Sequence, residues 1–251
     1  MIDRLREAGI DARERAGRAV ALPRDTNGVV SVVNLAREAA FVVAPEWASG
    51  LDSAVFLSLE RLDAVEEVVP ADLMAVVGAG VTCAALDERV VADGLYWPGG
   101  DVSEPAALVG DIFARAPGNW TLAGNILRRY VLALEVVLAD GQVLATGART
   151  VKWVTGHDLR QLFIGSRGTL GVITGLTLRL EALANRDVVR ERYEREFRGL
   201  EEMGDDERSL AGAGTSQVDA WGSREILALL KAEFDPTGVF RDAETAFDEE
   251  A

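Results

Sequence analysis

The pattern of apolar and polar positions changes several times along the chain and predicts a mixture of helices and strands. Apolar residues recur at helical spacing in the charged segment 1–20 and again in 26–40. By contrast, "FVVAP" (41–45) is a short apolar run that Pro45 ends, which is typical of a buried strand. The chain therefore begins with a predicted N-terminal helix over 1–21, a second helix and a strand.

Further strands are predicted in 53–68 and 73–82, and the clearest strand signals lie in the second half of the chain. Residues 133–147 are two apolar alternations around Asp-Gly, which is a strong hairpin signal. Residues 171–183 alternate over one long strand, whereas 83–94 has helical spacing. Because strands and helices mix without a strict βαβ repeat, the pattern predicts an α+β fold.

Three segments have less regular patterns. Residues 96–120 are rich in glycine, proline and alanine, which predicts a long loop of the kind that is usually functional or disordered. Residues 184–223 are dominated by charge and predict one solvent-exposed helix followed by a loop. Residues 224–251 predict a helix and an acidic tail, so the main domain is expected to span 22–183.

Charge and cysteine content narrow the expected partners and compartment. The formal charge of −15 repels nucleic acid and anionic lipid. No apolar run approaches the roughly 18 residues of a membrane span, and the N-terminus lacks the apolar core of a secretory signal. The single cysteine, Cys83, rules out an internal disulfide. We therefore expect a cytoplasmic protein with no nucleic-acid or membrane partner.

Histidine is the scarcest chemically useful residue, since His157 is the only one in the chain. This excludes any metal site built from two histidines and most catalytic pairs of histidine with serine or cysteine. Chemistry is then expected to come from a bound cofactor. Four charged residues of the long loop offer an alternative, acid–base catalysis, although a charged surface loop is the simpler and preferred explanation; they are Asp101, Glu104, Asp111 and Arg115.

The stretch "LFIGSRGTLGVIT" (162–174) carries three glycines between apolar residues. Glycine permits positive φ and lets backbone N–H groups approach a bound anion. The stretch matches neither the dinucleotide fingerprint GxGxxG nor a P-loop, which requires Gly-Lys followed by Ser or Thr. It is therefore either a tight turn between strands or a wall of a ligand site.

The run "YVLALEVVLADGQVLATGARTVKWVTGHDLRQLFIGSRGTLGVITGLTLRLEAL" (130–183) resembles the FAD-binding domain of the vanillyl-alcohol-oxidase-like, or PCMH-type, flavoproteins. The glycolate oxidase and D-lactate dehydrogenase branch is the most similar subgroup, and "LKAEFDPTGVF" (230–240) resembles the closing helix of that branch. The resemblance implies an α+β fold in which two subdomains clamp an extended FAD. It also implies that most of the family's cap domain is missing, with 184–223 as its remnant.

The resemblance further implies a set of residues near a non-covalently bound FAD. A glycine-containing turn would lie beside the cofactor, the next two residues would present backbone groups to the adenosine end, and a loop would cover the diphosphate or the flavin ring. These residues are, in that order, Gly165, Ser166, Gly168, Thr169 and Gly171; Val172 and Ile173; and Val109, Gly110 and Gly118.

Two phosphate-binding loops of the family depart from the expected pattern in this sequence. Glu46 and Trp47 stand where a basic residue and a glycine are expected, in a visibly shortened loop. Asp111 replaces the second of two paired glycines. A carboxylate beside a phosphate is unfavourable, because two negative charges then share one site.

These observations leave two functions open. The first is an FAD-dependent oxidoreductase, or the flavin-domain subunit of a heteromeric one, acting on a small hydroxy-acid or alcohol substrate. The second is a flavin-free family member, a pseudoenzyme that serves as a structural partner in a flavoenzyme complex. In either case, a partner subunit or a second copy of the chain is expected to cover the open cleft. No catalytic residue is assigned.

Overall fold

The computed structural model describes residues 1–51, 54–117, 121–148, 158–201 and 224–241. The elements form two subdomains, each with its own sheet. The helices are α1 Ile2–Glu7, α2 Thr26–Ala39, α3 Cys83–Val91, α4 Val109–Ala114, α5 Leu122–Arg129, α6 Arg160–Phe163, α7 Arg186–Glu201 and α8 Arg224–Phe234, and the strands are β1 Ala12–Arg15, β2 Arg18–Ala21, β3 Val42–Pro45, β4 Ala54–Leu57, β5 Val65–Val69, β6 Met74–Gly78, β7 Leu95–Tyr96, β8 Val131–Val137, β9 Val143–Gly147, β10 Val172–Arg179 and β11 Glu181–Ala182.

The first subdomain is a four-stranded sheet in the order β1-β2-β4-β3, with β2, β4 and β3 parallel to one another. Helix α2 covers this sheet and buries four residues of its apolar face, Val29, Val32, Val33 and Ala36. The helix begins at Asp25, whose side chain accepts a hydrogen bond from the Gly28 backbone N–H. The helix over 26–40 and the strand at 41–45 are thus confirmed.

The prediction of one helix over 1–21 is wrong. The helix ends at Glu7, and residues 12–21 form the hairpin β1–β2. Ala16 and Gly17 form its two-residue turn, and both have positive φ, which matches the twist of the flanking strands. The parallel partner β4 then pairs with β2 and supplies tertiary stabilisation that the local sequence does not reveal.

The second subdomain is an antiparallel five-stranded sheet in the order β5-β6-β10-β8-β9. The predicted hairpin is present as β8 and β9, and the Asp140 carboxylate accepts a hydrogen bond from the Gln142 backbone N–H in the turn. Strand β10 lies at the centre of the sheet and pairs with both β6 and β8. The α+β prediction is therefore confirmed.

The long loop predicted for 96–120 is more ordered than its weak periodicity indicated. A 3₁₀ helix spans Pro98–Val102, and helix α4 occupies the part that begins at Val109. Packing explains the difference, because Val109 and Phe113 are fully buried. A six-residue helix is too short to show a clear period in the sequence.

Helix α7 follows the second subdomain and is only partly the solvent-exposed helix that the sequence predicted. Val189 and Tyr193 are buried, and the Tyr193 ring packs edge-on against Tyr130 with centroids 5.9 Å apart. At its N-terminal end, Arg186 pairs with Asp101. Residues 202–223 lie outside the described residues.

The C-terminal segment closes the fold by joining the first subdomain. The Val43 backbone N–H donates to the Val239 carbonyl, and Asp235 accepts hydrogen bonds from the backbone N–H groups of Val239 and Phe240. The side chain of Asp235 is fully buried and is also paired with Lys231. The Lys231 ammonium donates in addition to the carbonyl of Thr169, 2.7 Å away, so helix α8 is tied to the glycine-containing turn.

Candidate functional site

A cleft lies where the two subdomains meet. Residues of β3, of the segment after β3, of α4, of the turn before β10 and of the C-terminal segment line it. They are Val43, Ala44, Pro45, Trp47, Leu57, Leu59, Gly110, Asp111, Ala114, Gly168, Gly171, Val172, Ile173 and Phe240. The two walls differ in construction, and we describe them in turn.

The turn of residues 165–171 forms the first wall, and backbone hydrogen bonds to the end of α4 hold it in place. The backbone N–H groups of Gly165 and Arg167 donate to the carbonyls of Phe113 and Ala114 at the end of α4, each over 2.9 Å. Gly168 has φ +75°, and a Cβ atom there would lie 3.0 Å from Cγ of Pro45 on the opposite wall. Glycine is needed at this point because the two subdomains approach each other closely.

The first residues of β10 continue this wall. Val172 and Ile173 pair with β8, whereas the ladder between β10 and β6 starts only at Gly175. The register is irregular between Ile173 and Gly175, and the Thr174 carbonyl accepts a hydrogen bond from Ala79. The backbone edge of Val172 and Ile173 that faces the side of β6 therefore extends past the end of the β6–β10 ladder and lies along the cleft.

The segment after β3 forms the second wall. The Glu46 backbone N–H donates to the Leu57 carbonyl and the Ala48 N–H donates to the Pro45 carbonyl, so both amides are used within the protein. The Glu46 side chain pairs with Arg15 of β1 at 3.0 Å and does not line the cleft. Hydrogen bonds from Arg15 to Glu60 and Glu46 raise the pKa of that guanidinium. The carboxylate of Glu46 is thus neutralised by Arg15 from outside the cleft.

Trp47 and Asp111 meet across the cleft. The indole N–H of Trp47 donates to Oδ1 of Asp111 over 3.1 Å. Burial raises the pKa of the Asp111 carboxyl, a nearby Glu46 charge adds to the rise, and Trp47 and Arg115 oppose it. Two guanidinium groups lie over the Trp47 ring, with Cζ of Arg115 at 5.3 Å and Cζ of Arg167 at 5.2 Å from its centroid.

The residues that the sequence suggested for FAD fall into three groups. Gly110, Gly168, Gly171, Val172 and Ile173 line the cleft together. The others within the described residues are buried behind the wall and shape it: Val109, Gly165, Ser166 and Thr169. Gly118 lies outside the described residues, as does His157.

The four charged residues of the long loop do not form one catalytic cluster. Asp101 pairs with Arg186 beside a separate cavity of about 80 Å³, whereas Asp111 lies in the cleft. Among the described residues, no group of three or more histidine, cysteine or acidic residues is arranged to hold a metal ion. The described helices also include none with the length and apolar character of a membrane span.

Sequence reasoning missed Arg167 and Phe240 and named Arg115 only as a candidate for acid–base catalysis; Phe240 lines the cleft, and the two arginines lie over the Trp47 ring. Arg167 interrupts the glycine-rich turn with a positive charge and has φ +56°, which is uncommon for a residue with a side chain. Arg115 follows α4, and Phe240 enters the cleft from the far end of the chain. A basic residue between two glycines was the sequence signal that could have pointed to Arg167.

The residues in and beside the cleft suit the chemistry of FAD, but the cleft is narrow. The apolar walls and the β6-side edge of Val172 and Ile173 suit an adenosine group, and two guanidinium groups suit a diphosphate. However, the cavity left beside Trp47 is about 30 Å³, whereas ligand sites usually measure roughly 300 Å³ or more. The donor set therefore suits FAD, whereas the cavity beside Trp47 is smaller than such a ligand requires.

Comparison with curated proteins gives partial matches to longer oxidoreductases. D-lactate dehydrogenase of Archaeoglobus fulgidus is 41% identical over 130 residues, which cover 51% of this chain and 29% of that protein. Glycolate oxidase subunit GlcD of Bacillus subtilis is 30% identical over 171 residues, 64% of this chain and 36% of that protein. D-2-hydroxyglutarate dehydrogenase of Stutzerimonas stutzeri is 31% identical, with coverage of 65% and 37%. The matched region is about a third of each relative's length.

Solved structures and a family pattern agree with these matches. An alkyldihydroxyacetonephosphate synthase structure superposes with a TM-score of 0.54 at 19% identity, covering 65% of this chain and 31% of that one. 4-Ethylphenol oxidase from Gulosibacter chungangensis gives 0.51 at 22% identity, with coverage of 65% and 35%. The FAD binding domain family matches residues 17–147, just over half of the chain. This chain therefore belongs to the FAD binding domain family and has the PCMH-type fold of two α+β subdomains.

Proposed function

We propose that this chain supplies the FAD-binding domain of an oxidoreductase that acts on a small 2-hydroxy acid. The observation that carries the proposal is the first wall of the cleft, where the turn before β10 and the edge of Val172 and Ile173 line a gap between two subdomains. The relatives named above supply the substrate class, since lactate, glycolate and 2-hydroxyglutarate all carry a hydroxyl group next to a carboxylate.

The proposed reaction is the oxidation of a 2-hydroxy acid to a 2-oxo acid. The substrate loses two electrons and two protons, and bound FAD is the group that accepts the electrons. The described residues hold the cofactor and exclude water from one side of it. Because the matched region is about a third of each relative's length, we propose that a partner subunit, a second copy or further polypeptide completes the substrate pocket.

A second candidate function rests on one specific observation. Trp47 and Asp111 are hydrogen-bonded and line a cavity of only about 30 Å³, which favours a flavin-free subunit that keeps the fold as a scaffold. Such a subunit would bind its partner through the same open side of the domain. The two candidates differ in whether the purified chain takes up flavin.

The test is the visible absorption spectrum of the chain after incubation with FAD and removal of free flavin. The protein is examined alone and after co-expression with the proteins encoded next to it. We expect bound flavin and its anaerobic bleaching by D-lactate, glycolate or D-2-hydroxyglutarate. Bound flavin that none of these acids reduces would contradict the substrate class, and flavin in the co-expressed complex but never on this chain would favour the scaffold function.

A further inference from the structure

The shortened loop after β3 leaves the cleft without the usual phosphate-binding amides, yet two arginines lie at the same place. Arg115 and Arg167 come from different elements, α4 and the turn before β10, and both place their guanidinium groups over the Trp47 ring. On a chain with a formal charge of −15, the two guanidinium groups concentrate positive charge around Trp47, which lines the cleft. Stacking on an aromatic ring is a favourable contact for both.

The backbone of Arg167 indicates that its position is specifically held. Its φ of +56° places a residue with a long side chain in the left-handed region, which is strained for any residue except glycine. The neighbouring residues Gly165 and Gly168 also have positive φ. The Arg167 N–H donates to the Ala114 carbonyl in this conformation, and the side chain lies over the Trp47 ring, which lines the cleft. Strained backbone of this kind is concentrated at functional sites.

We propose that Arg115 and Arg167 are the diphosphate ligands of this chain and that Trp47 holds their place until the ligand enters. This inference rests on the proposed function, because the diphosphate is that of FAD. In the closed arrangement, the indole ring stacks under both guanidinium groups and donates to Asp111. In the ligand-bound arrangement, the ring swings out, and the two arginines form charge-assisted hydrogen bonds with phosphate oxygens.

Trp47 stands where the resemblance to flavoproteins implies a glycine, and its contact with the two arginines gives this large ring a role. Glycine-rich loops bind phosphate through backbone N–H groups, and here the N–H groups of Glu46 and Ala48 are already bonded to Leu57 and Pro45. The positive charge that binds a phosphate must then come from side chains. A planar ring beside the guanidinium groups keeps them stacked and close together in the absence of an anion.

The experiment measures the affinity of the full chain for FAD, ADP and adenosine by equilibrium dialysis. We expect Arg115→Gln and Arg167→Gln each to weaken FAD and ADP binding roughly tenfold, the size of one charge-assisted hydrogen bond, and to leave adenosine binding unchanged. Trp47→Ala is expected to tighten FAD binding, because no ring has to be displaced. Arg89→Gln is the matched control, since that arginine lies on α3, pairs with Asp93 and is not one of the two guanidinium groups over the Trp47 ring.

Two results separate this inference from the proposed function. Wild-type binding of FAD that neither arginine variant weakens would overturn the inference and leave the proposed function in place. Absence of FAD binding in the wild type and in Trp47→Ala alike would overturn both. Trp47→Phe is a second variant in case Trp47→Ala misfolds, because it keeps an aromatic ring and removes the hydrogen bond to Asp111. It is expected to bind FAD more tightly than the wild type and less tightly than Trp47→Ala.

Discussion

The two walls of the cleft are built on different principles. The turn of 165–171 is held by backbone hydrogen bonds to Phe113 and Ala114 and by the Lys231 ammonium on Thr169. The segment after β3 reaches the cleft through a single large side chain, Trp47. One wall is thus defined by its backbone, and the other by a side chain that can rotate.

This difference accounts for which family features are retained. In the first wall, replacing a glycine would force backbone or core atoms apart, so the sequence pattern must stay for the fold to form. In the second wall, the fold requires only the strand Val42–Pro45 and its pairing with β4. The side chains after Pro45 are therefore less constrained by the fold than the glycines of the first wall.

The largest expected effect comes from releasing the C-terminal segment that braces the first wall. Asp235→Ala removes a fully buried carboxylate and leaves Lys231 and two backbone N–H groups without their acceptor. We expect a loss of about 3 kcal/mol in the free energy of unfolding, measured by urea denaturation. Glu233→Ala, at an exposed position of the same helix, is the control and should change stability little. Equal stability of both variants would contradict the bracing role.

Adding a single methyl group to the backbone-defined wall is also expected to destabilise the protein. In Gly171→Ala, the new Cβ would lie 2.6 Å from Cγ1 of Val136 and 3.1 Å from the Val137 carbonyl oxygen. We expect a destabilisation of about 2 kcal/mol from overpacking, read as a shift in thermal unfolding. Gly100→Ala meets no atom within 4 Å and serves as the neutral comparison. A Gly171→Ala variant with unchanged thermal stability would show that this wall can shift to accommodate a methyl group.

FAD binding is expected to depend on pH through Asp111 of α4, which accepts the hydrogen bond from Trp47. Burial raises the pKa of this carboxyl above its ordinary value of 3.8. The carboxyl therefore stays neutral at pH values somewhat above 3.8 and ionises only as the pH rises through the raised pKa. An ionised Asp111 repels phosphate, and Glu46 and Arg115 are the charges that act on it. We expect FAD affinity to fall severalfold over this rise in pH. Asp111→Asn should bind FAD with a flat pH profile; a profile that still falls would assign the titration to another group.

The smallest expected effect concerns Cys83, which lies away from both walls. Burial raises the pKa of its thiol to about 11, so thiolate is scarce at neutral pH. As the only cysteine, it allows an unambiguous measurement with a thiol reagent. We expect slow modification in the native protein and rapid modification in urea. Rapid modification of the native chain would show that α3 opens readily and that the second subdomain is less rigid than its packing indicates.

The sequence predicted regular elements well wherever one element carried its own signal. The hairpin β8–β9 follows from Asp140 and Gly141, and α2 follows from its apolar spacing. The hairpin β1–β2 was mistaken for a helix because its stabilisation comes from pairing with β4, more than thirty residues away. Helix α4 was missed because it is too short to show a period.

The candidate site was predictable only in part. Its glycines and the start of β10 follow from the resemblance to flavoproteins, and five of the ten suggested residues line the cleft. The contact between Trp47 and Asp111 joins residues more than sixty positions apart, and no local pattern specifies it. The sequence identified Glu46 as a charge near phosphate, whereas its partner Arg15 emerged only from the sheet topology.

The central claim is that the cleft between the two walls binds one FAD. The most direct measurement is a titration of the full wild-type chain with FAD, followed by the change in the flavin's visible spectrum and in protein fluorescence, with ADP as competitor. The account predicts saturation at one FAD per chain, displacement by ADP and tighter binding in Trp47→Ala. A chain that binds no FAD, with or without Trp47, would contradict it.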